Sequence, residues 1–538
     1  MADERYDYVI VGAGSAGCVL ANRLSADPST SVLLLEAGPK DSKREIKIPA
    51  AFPKIFKTEF DWAYETTPQR HVDDRVMYWP RGKTLGGSSA INAMMWVRGN
   101  PLDFDEWEQR GCKGWGWDEV LPYFRKAERH HLGSSPDRGG DGPQSVQALR
   151  SPNPYREAFF QAAADHGLPV RDDINVTSQE GVAPTPVTQD GGRRASAAHS
   201  YLHPVNDRDN LTVQTGALVT RVVLADRRAV GVSYRTGDGE HTVAAGREVI
   251  LSGGAINSPQ VLMLSGIGPA EQLHKHDIEP VHELPGVGQT LKDHLAYFVI
   301  QGTHGVKTLV DAESPANLLR YLFGHKGMLT SNVGEACGFF RAMPDAPAPD
   351  CELIFAPVPF MGHGLIDPPG PGLTIGPVLQ RPRSVGELTL RSADPADPPV
   401  IDPRYLSDPA GHDLSVLVAG AKLARQLFAH EAFDGIRDDE IWPGDDVTSD
   451  DGIRDSIREH CQTLYHPIAT CRMGAADDAD AVVDPQLRVR GIAGLRVVDA
   501  SIMPELVRGH THAPTTMIAE RASKLIAGAH AREGAVVA

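Results

Sequence analysis

Three glycines near the start of the chain have the spacing to bind the pyrophosphate of a dinucleotide. Gly12, Gly14 and Gly17 form a G-x-G-x-x-G pattern in the segment GAGSAG. In such a turn the first glycine permits a tight bend, the second lets the backbone approach the phosphates, and the third allows close helix–strand packing. The helix that follows would present its free N–H groups to the negative charge.

An acidic residue supports this interpretation. Glu36 lies 19 residues after Gly17, at the end of a predicted second strand, where a carboxylate accepts hydrogen bonds from a ribose hydroxyl. The same carboxylate would repel a 2′-phosphate, so we expect NAD or FAD rather than NADP. The motif alone does not separate NAD from FAD, and a glycine-rich turn without a ligand is the alternative.

The sequence around the turn predicts the strands and the helix that would position these residues. A strand over Tyr6–Val11, a helix in CVLANRLSAD and a strand over Ser31–Gly38 form a βαβ unit. Short strand-like runs over 209–251 predict a small antiparallel sheet. From about 300 to 465 strand runs alternate with prolines, and helical periodicity returns at DLSVLVAGAKLARQLFAH.

Composition excludes several classes of protein. The 538 residues carry 53 Lys+Arg and 70 Asp+Glu, a net charge of −17, and no basic block, so we expect no nucleic-acid partner. Six cysteines without a C-x-x-C pair predict neither a zinc ribbon nor a disulfide framework. We therefore expect no metal site.

The chain also lacks the sequence signals of export and membrane insertion. An acidic start, MADERYDYVIVGAG, is unlike a signal peptide. The uncharged stretch Val249–Ala270 is long enough to span a bilayer but contains two prolines and four glycines, so we predict no transmembrane segment. We expect a cytoplasmic protein, with peripheral membrane contact left open.

Five longer blocks resemble the glucose–methanol–choline (GMC) oxidoreductase family. RGKTLGGSSAINAMMWVRG and GAINSPQVLMLSGIG resemble its two signatures, and LPGVGQTLKDH, YHPIATCRMG and GLRVVDASIMP resemble three further blocks in the expected order. The resemblance runs from about residue 5 to 530. It is closest in pattern to the bacterial choline dehydrogenase-like and FAD-dependent alcohol dehydrogenases.

The resemblance implies an α/β (α+β) fold. A Rossmann-like FAD-binding domain would be joined to a discontinuous substrate-binding domain built on an antiparallel sheet. We expect residues 1–300 to form mainly the FAD-binding domain, with 39–80 and about 150–200 partly on the lid or substrate side. Residues 301–470 would form the substrate-binding domain, and 471–538 would return to the FAD-binding domain.

The resemblance also implies FAD as the cofactor. Ile91 stands where covalent relatives carry a histidine, so we predict non-covalent binding. Asn92 and Met94 would lie near the flavin ring, Val219 beside the adenine, and Asp499 at the flavin end. The expected cofactor-binding residues are Gly12, Gly14, Ser15, Ala16, Gly17, Glu36, Ala37, Trp62, Arg81, Leu85, Gly86, Gly87, Ser88, Ser89, Asn92, Met94, Val219, Asp499 and Ala500. Ser88 and Ser89 as helix caps, and Val219 as plain core, are the alternatives.

Two histidines are the expected catalytic pair. Alcohol oxidation needs a group that accepts the hydroxyl proton, which a neutral histidine suits. The chain has 21 histidines, so the choice rests on the resemblance, which points to His466 in HPIATCRMG and His512 in GHTHAPTTMIAE. We choose His512 over His510 by its distance to Glu520. Ala469 stands where relatives mostly carry glycine, a change that is tolerable unless the backbone needs a positive φ.

The predicted activity is oxidation of an alcohol, primary by preference, to an aldehyde, with electrons passed to a quinone, another carrier or oxygen. A peroxide-producing oxidase, a hydroxynitrile lyase, a fatty-acid photodecarboxylase and a non-catalytic flavoprotein are alternatives. Aromatic and aliphatic residues in Ser331–Arg341 and Phe355–Gly364 favour an apolar substrate. Glu335 or Glu352 could hold a choline-like cation, or could be paired or solvated acids.

Overall fold

The computed structural model describes residues 5–176 and 178–537, so the first four residues of the acidic start lie outside it. Within these ranges the α-helices are α1 (Ser15–Leu24), α2 (Arg44–Lys47), α3 (Pro101–Gln109), α4 (Trp117–Ala127), α5 (Arg156–Asp165), α6 (Gly254–Leu264), α7 (Ala270–His274), α8 (Pro315–Gly324), α9 (His412–Phe428), α10 (Asp450–His460) and α11 (His512–Val537). The strands are β1 (Arg5–Val11), β2 (Val32–Glu36), β3 (Tyr64–Glu65), β4 (Tyr78–Trp79), β5 (Glu128–His130), β6 (Gln144–Val146), β7 (Gly181–Pro184), β8 (Gln189–Asp190), β9 (Arg193–Arg194), β10 (Leu211–Thr215), β11 (Leu218–Ala225), β12 (Arg228–Thr236), β13 (Gly239–Leu251), β14 (Ile267–Gly268), β15 (His282–Glu283), β16 (Leu295–Ala296), β17 (Val299–Thr303), β18 (Ala336–Phe340), β19 (Cys351–Ala356), β20 (Gly372–Leu379), β21 (Glu387–Thr389), β22 (Val400–Asp402), β23 (Arg437–Trp442), β24 (Gln462–Thr463) and β25 (Leu495–Val497).

A seven-stranded sheet of the described residues carries the glycine turn. Its order is β10-β2-β1-β13-β12-β11, with β25 beside β13. Strands β10, β2, β1, the end of β13, and β25 run parallel. The sequence of β2 is apolar until its last residue, and the strand is buried throughout, as expected when both faces of a parallel sheet are covered. The predicted βαβ unit is therefore confirmed.

The antiparallel pairing predicted over 209–251 is confirmed, but its strands are part of the main sheet and do not form a small sheet of their own. Strands β11, β12 and the first part of β13 pair antiparallel as expected. However, β13 is 13 residues long, and its second part pairs parallel with β1. Strand β10 pairs parallel with β2. Periodicity reports the local strand pattern but not the sheet that a long strand extends, and here the three strands widen the main sheet.

The described residues also form an eight-stranded antiparallel sheet. Its order is β23-β17-β20-β19-β18-β7, with β16 also beside β20 and β24 beside β16. Helix α9 packs on β19 and β20, where a Cβ at Gly420 would meet Pro377 and Cys351. Strand β20 is buried along its whole length. This sheet is thus covered by a helix on one side and faces the site on the other.

Helix α11 joins the end of the chain to its beginning. Glu520 of α11 accepts from Arg23 of α1 at 2.6 Å and from Lys126 of α4 at 2.8 Å. Helix α11 begins at His512, whose Nδ1 lies 2.9 Å from the Ser15 hydroxyl. The first turn of α11 therefore lies against the glycine turn.

The described residues lack the features of two other kinds of site, a membrane span and a metal centre. No helix there is both long and apolar enough to cross a membrane. No group of three or more His, Cys, Asp or Glu side chains there is placed to hold a metal ion. The six cysteines all fall within these ranges, where they are free and buried.

Candidate active site

A cavity connects the glycine turn with a cluster of histidines. Ile354, Ala356 and Thr374 of the eight-stranded sheet contribute to its wall. The expected site residues that line it are Gly12, Gly14, Ser15, Ala16, Glu36, Ala37, Trp62, Arg81, Gly87, Ser88, Ser89, Asn92, Met94, Val219, His466, Asp499, Ala500 and His512. Gly17, Leu85 and Gly86 do not line it, so their contribution is indirect.

The glycine turn has the geometry of an anion cradle. Gly12 has a φ of 97°, which favours glycine. A Cβ at Gly17 would overlap the carbonyl oxygen of Gly12, whereas a Cβ at Gly14 would meet only Gly87, at 3.9 Å. Helix α1 begins at Ser15 without a side-chain cap, so its first N–H groups are available to phosphate. Gly17 therefore packs the turn, and Gly14 leaves room for a ligand.

A second loop closes against this turn. The N–H of Gly86 donates to the carbonyl of Ala13 at 2.8 Å, and a Cβ at Gly87 would lie 2.6 Å from the Cα of Gly14. The Ser89 hydroxyl donates to the Gly86 carbonyl at 2.5 Å. Leu85 is buried beneath the loop. These contacts bring Gly87 and Ser88 to the cavity wall.

Glu36 lies buried at the end of β2. Its carboxylate accepts from the N–H groups of Ala13 and Gly38, both at 2.9 Å. Burial raises its pKa to about 7, and the two backbone hydrogen bonds oppose that rise. Because each carboxylate oxygen has two lone pairs, Glu36 can also accept from a hydroxyl in the cavity.

The other end of the cavity holds the candidate catalytic groups. His466 and His510 meet edge to face with ring centroids 4.8 Å apart. The Nδ1 of His466 lies 2.9 Å from the Nδ1 of His294, and the Nε2 of His294 lies 3.1 Å from the carbonyl of Gln380. The Nε2 of His510 lies 2.9 Å from Oε1 of Glu352. Each cavity-facing histidine is thus held by a partner behind it.

These partners fix the position of the protons. The carbonyl of Gln380 can only accept, so His294 carries its proton on Nε2 and accepts at Nδ1. His466 must then donate from Nδ1, which leaves the lone pair of its Nε2 directed away from His294. Within the described part of the chain, Nε2 of His466 and Nδ1 of His510 have no hydrogen-bond partner, and both rings line the cavity. These two nitrogens are available to a ligand.

Burial and neighbouring charges lower the pKa values of His466 and His294. Burial lowers the pKa of His466 well below its usual value, and the neighbouring His510 and His294 lower it further. Burial lowers the pKa of His294 to about 3. At neutral pH His466 is therefore a neutral imidazole, the form that can accept a proton.

Asp293 fixes the backbone that carries His466. Its Oδ1 accepts from the N–H of His466 at 2.7 Å, and its Oδ2 accepts from the hydroxyls of Thr463, at 2.6 Å, and Tyr405. Burial raises the pKa of Asp293 to about 6. Downstream, Ala469 adopts a φ of 72°, so it lies in the left-handed region that disfavours a side chain.

The structure does not bring His512 to His466. The Nδ1 of His512 lies 2.9 Å from the Ser15 hydroxyl in the first turn of α1. Its ring meets the edge of Trp96 at 5.5 Å, and its Nε2 is buried without a partner among the described atoms. Burial lowers its pKa to about 4. His512 thus contacts the dinucleotide turn, and His510 occupies the position beside His466.

The wall around the histidines is apolar. Phe52, Phe56, Phe298, Phe360, Val333, Ile354 and Leu464 contribute to the lining. Neither Glu335 nor Glu352 does. Glu335 is buried and accepts from the Ser331 hydroxyl and the Asn153 N–H, both at 2.6 Å. Among the lining residues the carboxylates are Glu36 and Asp499, and Asp499 is already bonded to Gly254, Ser258 and Ser501.

The histidine cluster contains residues for which the sequence predicts no role. His510 lies beside His466, where the sequence favours His512, and His294 and Asp293 adjoin each other in LPGVGQTLKDH without a predicted role. The one sequence signal for Asp293 and His294 is that two titratable residues adjoin each other in a long block that resembles the family. Phe52 and Phe56 belong to an aromatic segment whose place on the cavity wall depends on the tertiary fold.

Comparisons with known proteins agree with this geometry. The GMC oxidoreductase N-terminal and C-terminal family models match residues 6–296 and 382–519. An alcohol dehydrogenase (acceptor) of Pseudomonas putida is 46% identical over 97% of this chain and 95% of its own length. The mitochondrial choline dehydrogenase of Homo sapiens is 45% identical over 98% and 90%.

A solved structure extends the agreement to the fold. An Aspergillus oryzae formate oxidase, determined in work on its FAD modification, superposes with a TM-score of 0.92 and 31% identity, covering 99% of this chain and all of that one. The cradle at Gly14 and Gly87, the uncapped α1 and the apolar Ile91 in the cavity wall fit a flavin dinucleotide. The chain therefore belongs to the GMC oxidoreductase family and is an FAD-binding oxidoreductase.

Proposed function

We propose that the protein oxidises a primary alcohol with an apolar chain or ring to the aldehyde and passes the electrons to a carrier other than oxygen. The observation that supports this most directly is the pair of unpartnered nitrogens, Nε2 of His466 and Nδ1 of His510, in an apolar-walled cavity. The similarity to an alcohol dehydrogenase (acceptor) supports the choice of electron acceptor.

The two histidines have different roles at the substrate hydroxyl: one accepts its proton and the other hydrogen-bonds its oxygen. His466 accepts the hydroxyl proton at Nε2, because its Nδ1 proton is committed to His294. His510, whose Nε2 is held by the Glu352 carboxylate, directs Nδ1 at the substrate oxygen and donates a hydrogen bond to it there. This assignment replaces His512 with His510 as the second member of the pair.

The cofactor would be held along the rest of the cavity. The N–H groups of the Gly14–Ala16 turn and Gly87 would face its pyrophosphate, and Glu36 would accept from its ribose. Bound FAD supplies the acceptor for the hydride that leaves the alcohol carbon. Ile91 has no nucleophilic atom near this wall, so we propose that FAD is bound non-covalently.

The wall composition selects the substrate class. The carboxylates that could have bound a choline-like cation, Glu335 and Glu352, are committed to protein partners. The remaining wall consists mainly of phenylalanine and aliphatic side chains. An uncharged alkyl or aryl group can be buried against this wall, whereas a cation buried there would have no partner charge. We therefore propose alkanols or benzyl alcohols over choline.

Anaerobic reduction of the bound flavin tests the proposal. The panel contains 1-octanol, benzyl alcohol, choline and glycerol, with 2-octanol as the matched secondary alcohol. We expect bleaching by 1-octanol or benzyl alcohol, with His466→Ala slowing reduction about 10²–10⁴-fold while retaining FAD. Selective bleaching by choline would refute the substrate class. Rapid peroxide formation on admitting oxygen would assign an oxidase instead.

A flavin that no alcohol bleaches would contradict alcohol oxidation itself. Release of cyanide from a cyanohydrin, or light-dependent loss of carbon dioxide from a fatty acid, would then identify the lyase or the photodecarboxylase. Flavin reduction by His466→Ala at the rate of the unaltered protein would contradict its role as proton acceptor.

A further inference from the structure

Helix α8 carries apolar side chains on its exposed face. Leu318, Leu319, Leu322 and Phe323 are exposed, and Phe323 is 87% exposed. Its buried residues are Tyr321 and Asn317, and the Asn317 amide donates to the carbonyl of Asp311 at 2.9 Å. A surface helix normally places its leucines toward the core. We call the four exposed side chains the α8 apolar surface.

This concentration of exposed apolar residues is local. Of the twelve exposed large hydrophobic residues in the described part of the chain, five lie between Val310 and Phe323. On a helix, positions 318 and 322, and positions 319 and 323, are neighbours on one face. The α8 apolar surface is therefore continuous, and contiguous exposed patches mark interaction sites more often than scattered residues do.

A set of cations lies along helix α8 and the segments beside it. Arg320 and Lys326 belong to α8 and the residues that follow it, and both are exposed. Tyr321 of the helix lies near Arg193 and Arg44, and His325 lies near Arg193 and Arg150. We call this set the basic rim; it comprises Arg44, Arg150, Arg193, Arg320 and Lys326. None of them has a carboxylate within ion-pair distance among the described residues.

The nearby acids do not neutralise the rim. Asp311 and Glu313 precede α8, and Glu313 is paired with Lys54. The chain as a whole carries a net charge of −17, so a group of cations without ion-pair partners in the described residues, on and beside one apolar helix, differs from the rest of the molecule. Exposed apolar side chains with Lys and Arg beside them have the chemistry that binds an anionic bilayer surface.

We propose that α8 docks the protein peripherally on an anionic phospholipid bilayer, with the α8 apolar surface in the interface and the basic rim on the lipid phosphates. A second copy of the chain is a poorer occupant, because a symmetric contact would place two basic rims face to face. The docked side adjoins the cavity: Ile48 and Ala50 pack with Tyr321 and Leu329, and the same turn carries Phe52 of the cavity wall.

Vesicle binding by the purified holoenzyme tests this proposal. Sedimentation with phosphatidylcholine vesicles is compared with sedimentation with vesicles that also contain phosphatidylglycerol. We expect binding to the anionic vesicles that salt reverses. The Leu319→Ser/Phe323→Ser variant should bind at least about tenfold more weakly, and Arg320→Glu/Lys326→Glu should lose at least about tenfold as well.

Matched controls keep the test decisive. Val281→Ser removes an exposed apolar side chain in another part of the chain and should bind like the unaltered protein. Retained flavin absorbance and alcohol-dependent bleaching without vesicles show that a variant is folded. Absence of binding by the unaltered protein at low salt, or unchanged binding by the Leu319→Ser/Phe323→Ser variant, would overturn the proposal. A dimer that this variant converts to a monomer, without vesicle binding, would identify a self-association face instead.

Discussion

Replacing His510 and His512 in turn separates catalysis from cofactor binding. His510 lies 4.8 Å from His466 between ring centroids and presents a free Nδ1 to the cavity. Removing a donor aimed at a developing oxyanion costs about 10²–10³-fold in rate. We therefore expect His510→Ala to slow flavin reduction by the alcohol by that factor, with FAD content unchanged.

His512→Ala should behave differently because its contact lies at the dinucleotide turn. The ring gives up one hydrogen bond, at 2.9 Å, to the Ser15 hydroxyl. A net hydrogen bond contributes about 0.5–1.5 kcal/mol, which corresponds to a loss of roughly two- to tenfold in affinity for FAD. Once the variant is saturated with FAD, its rate of flavin reduction should stay within about threefold of the unaltered protein.

The assay is stopped-flow reduction of the flavin under anaerobic conditions, with FAD content measured from the visible spectrum after gel filtration. His510→Asn and His512→Asn are the matched variants, because an amide keeps hydrogen bonding at each position. We expect His510→Asn to recover part of the lost rate. A slow, fully flavinated His512→Ala together with a fast His510→Ala would refute the reasoning and restore His512 to the catalytic pair.

Three further predictions follow from the packing and the electrostatics. Gly14→Ala should fold and lose FAD, whereas Gly17→Ala should fail to fold stably, because only the second Cβ overlaps backbone; circular dichroism and flavin absorbance distinguish the two. The folded-state pKa of Glu36, about 7, lies above its ordinary 4.5, so its contribution to apoprotein stability is present below pH 4.5 and is lost as the pH rises through 7. As the pH rises from 4.5 to 8, the unfolding free energy of the unaltered apoprotein should fall by about 3 kcal/mol more than that of Glu36→Gln, because Gln does not titrate. An equal pH dependence of the two proteins would contradict this. His294→Phe should slow flavin reduction about 10–100-fold by leaving Nδ1 of His466 without an acceptor, and His294→Asn, whose amide oxygen can accept, should restore part of the rate; equal rates for the two would remove the positioning role.

The cofactor half of the site could be predicted because its requirements are local. A tight turn, a close backbone approach and a helix start each demand a residue type within a few positions of Gly12, Gly14 and Gly17. The same reasoning assigned Gly17 to packing, and the structure shows no room for a side chain there. The effect of Ala469 could not be decided from sequence, since its φ of 72° depends on the surrounding fold.

Sequence alone cannot decide between His510 and His512, for a geometric reason. The two residues are separated by one position in an irregular segment that ends where α11 begins, at His512. In extended backbone, positions i and i+2 can share a face, but the start of a helix turns the second side chain away. Local sequence therefore identifies both histidines as candidates without indicating which one meets His466.

Glu352 shows a related limit. It lies in β19, which is buried at every position, so alternation of polar and apolar residues does not reveal which face it occupies. The sequence could suggest a carboxylate for a cationic substrate or a paired acid. Only the strand register places it behind His510, at 2.9 Å, and off the cavity wall.

The register of the eight-stranded sheet thus assembles the catalytic groups from distant parts of the chain. Val378 of β20 pairs with Glu352 on one side and with Ala296 on the other. His294 lies two residues before Ala296, and Gln380, which accepts from His294, lies two residues after Val378. A one-residue slip in this pairing would turn the side chains on the shifted strand to the opposite face. The buried β20 therefore does more than close the core: it sets the distance between the carboxylate behind His510 and the imidazole behind His466, and with it the positions of both nitrogens that face the substrate.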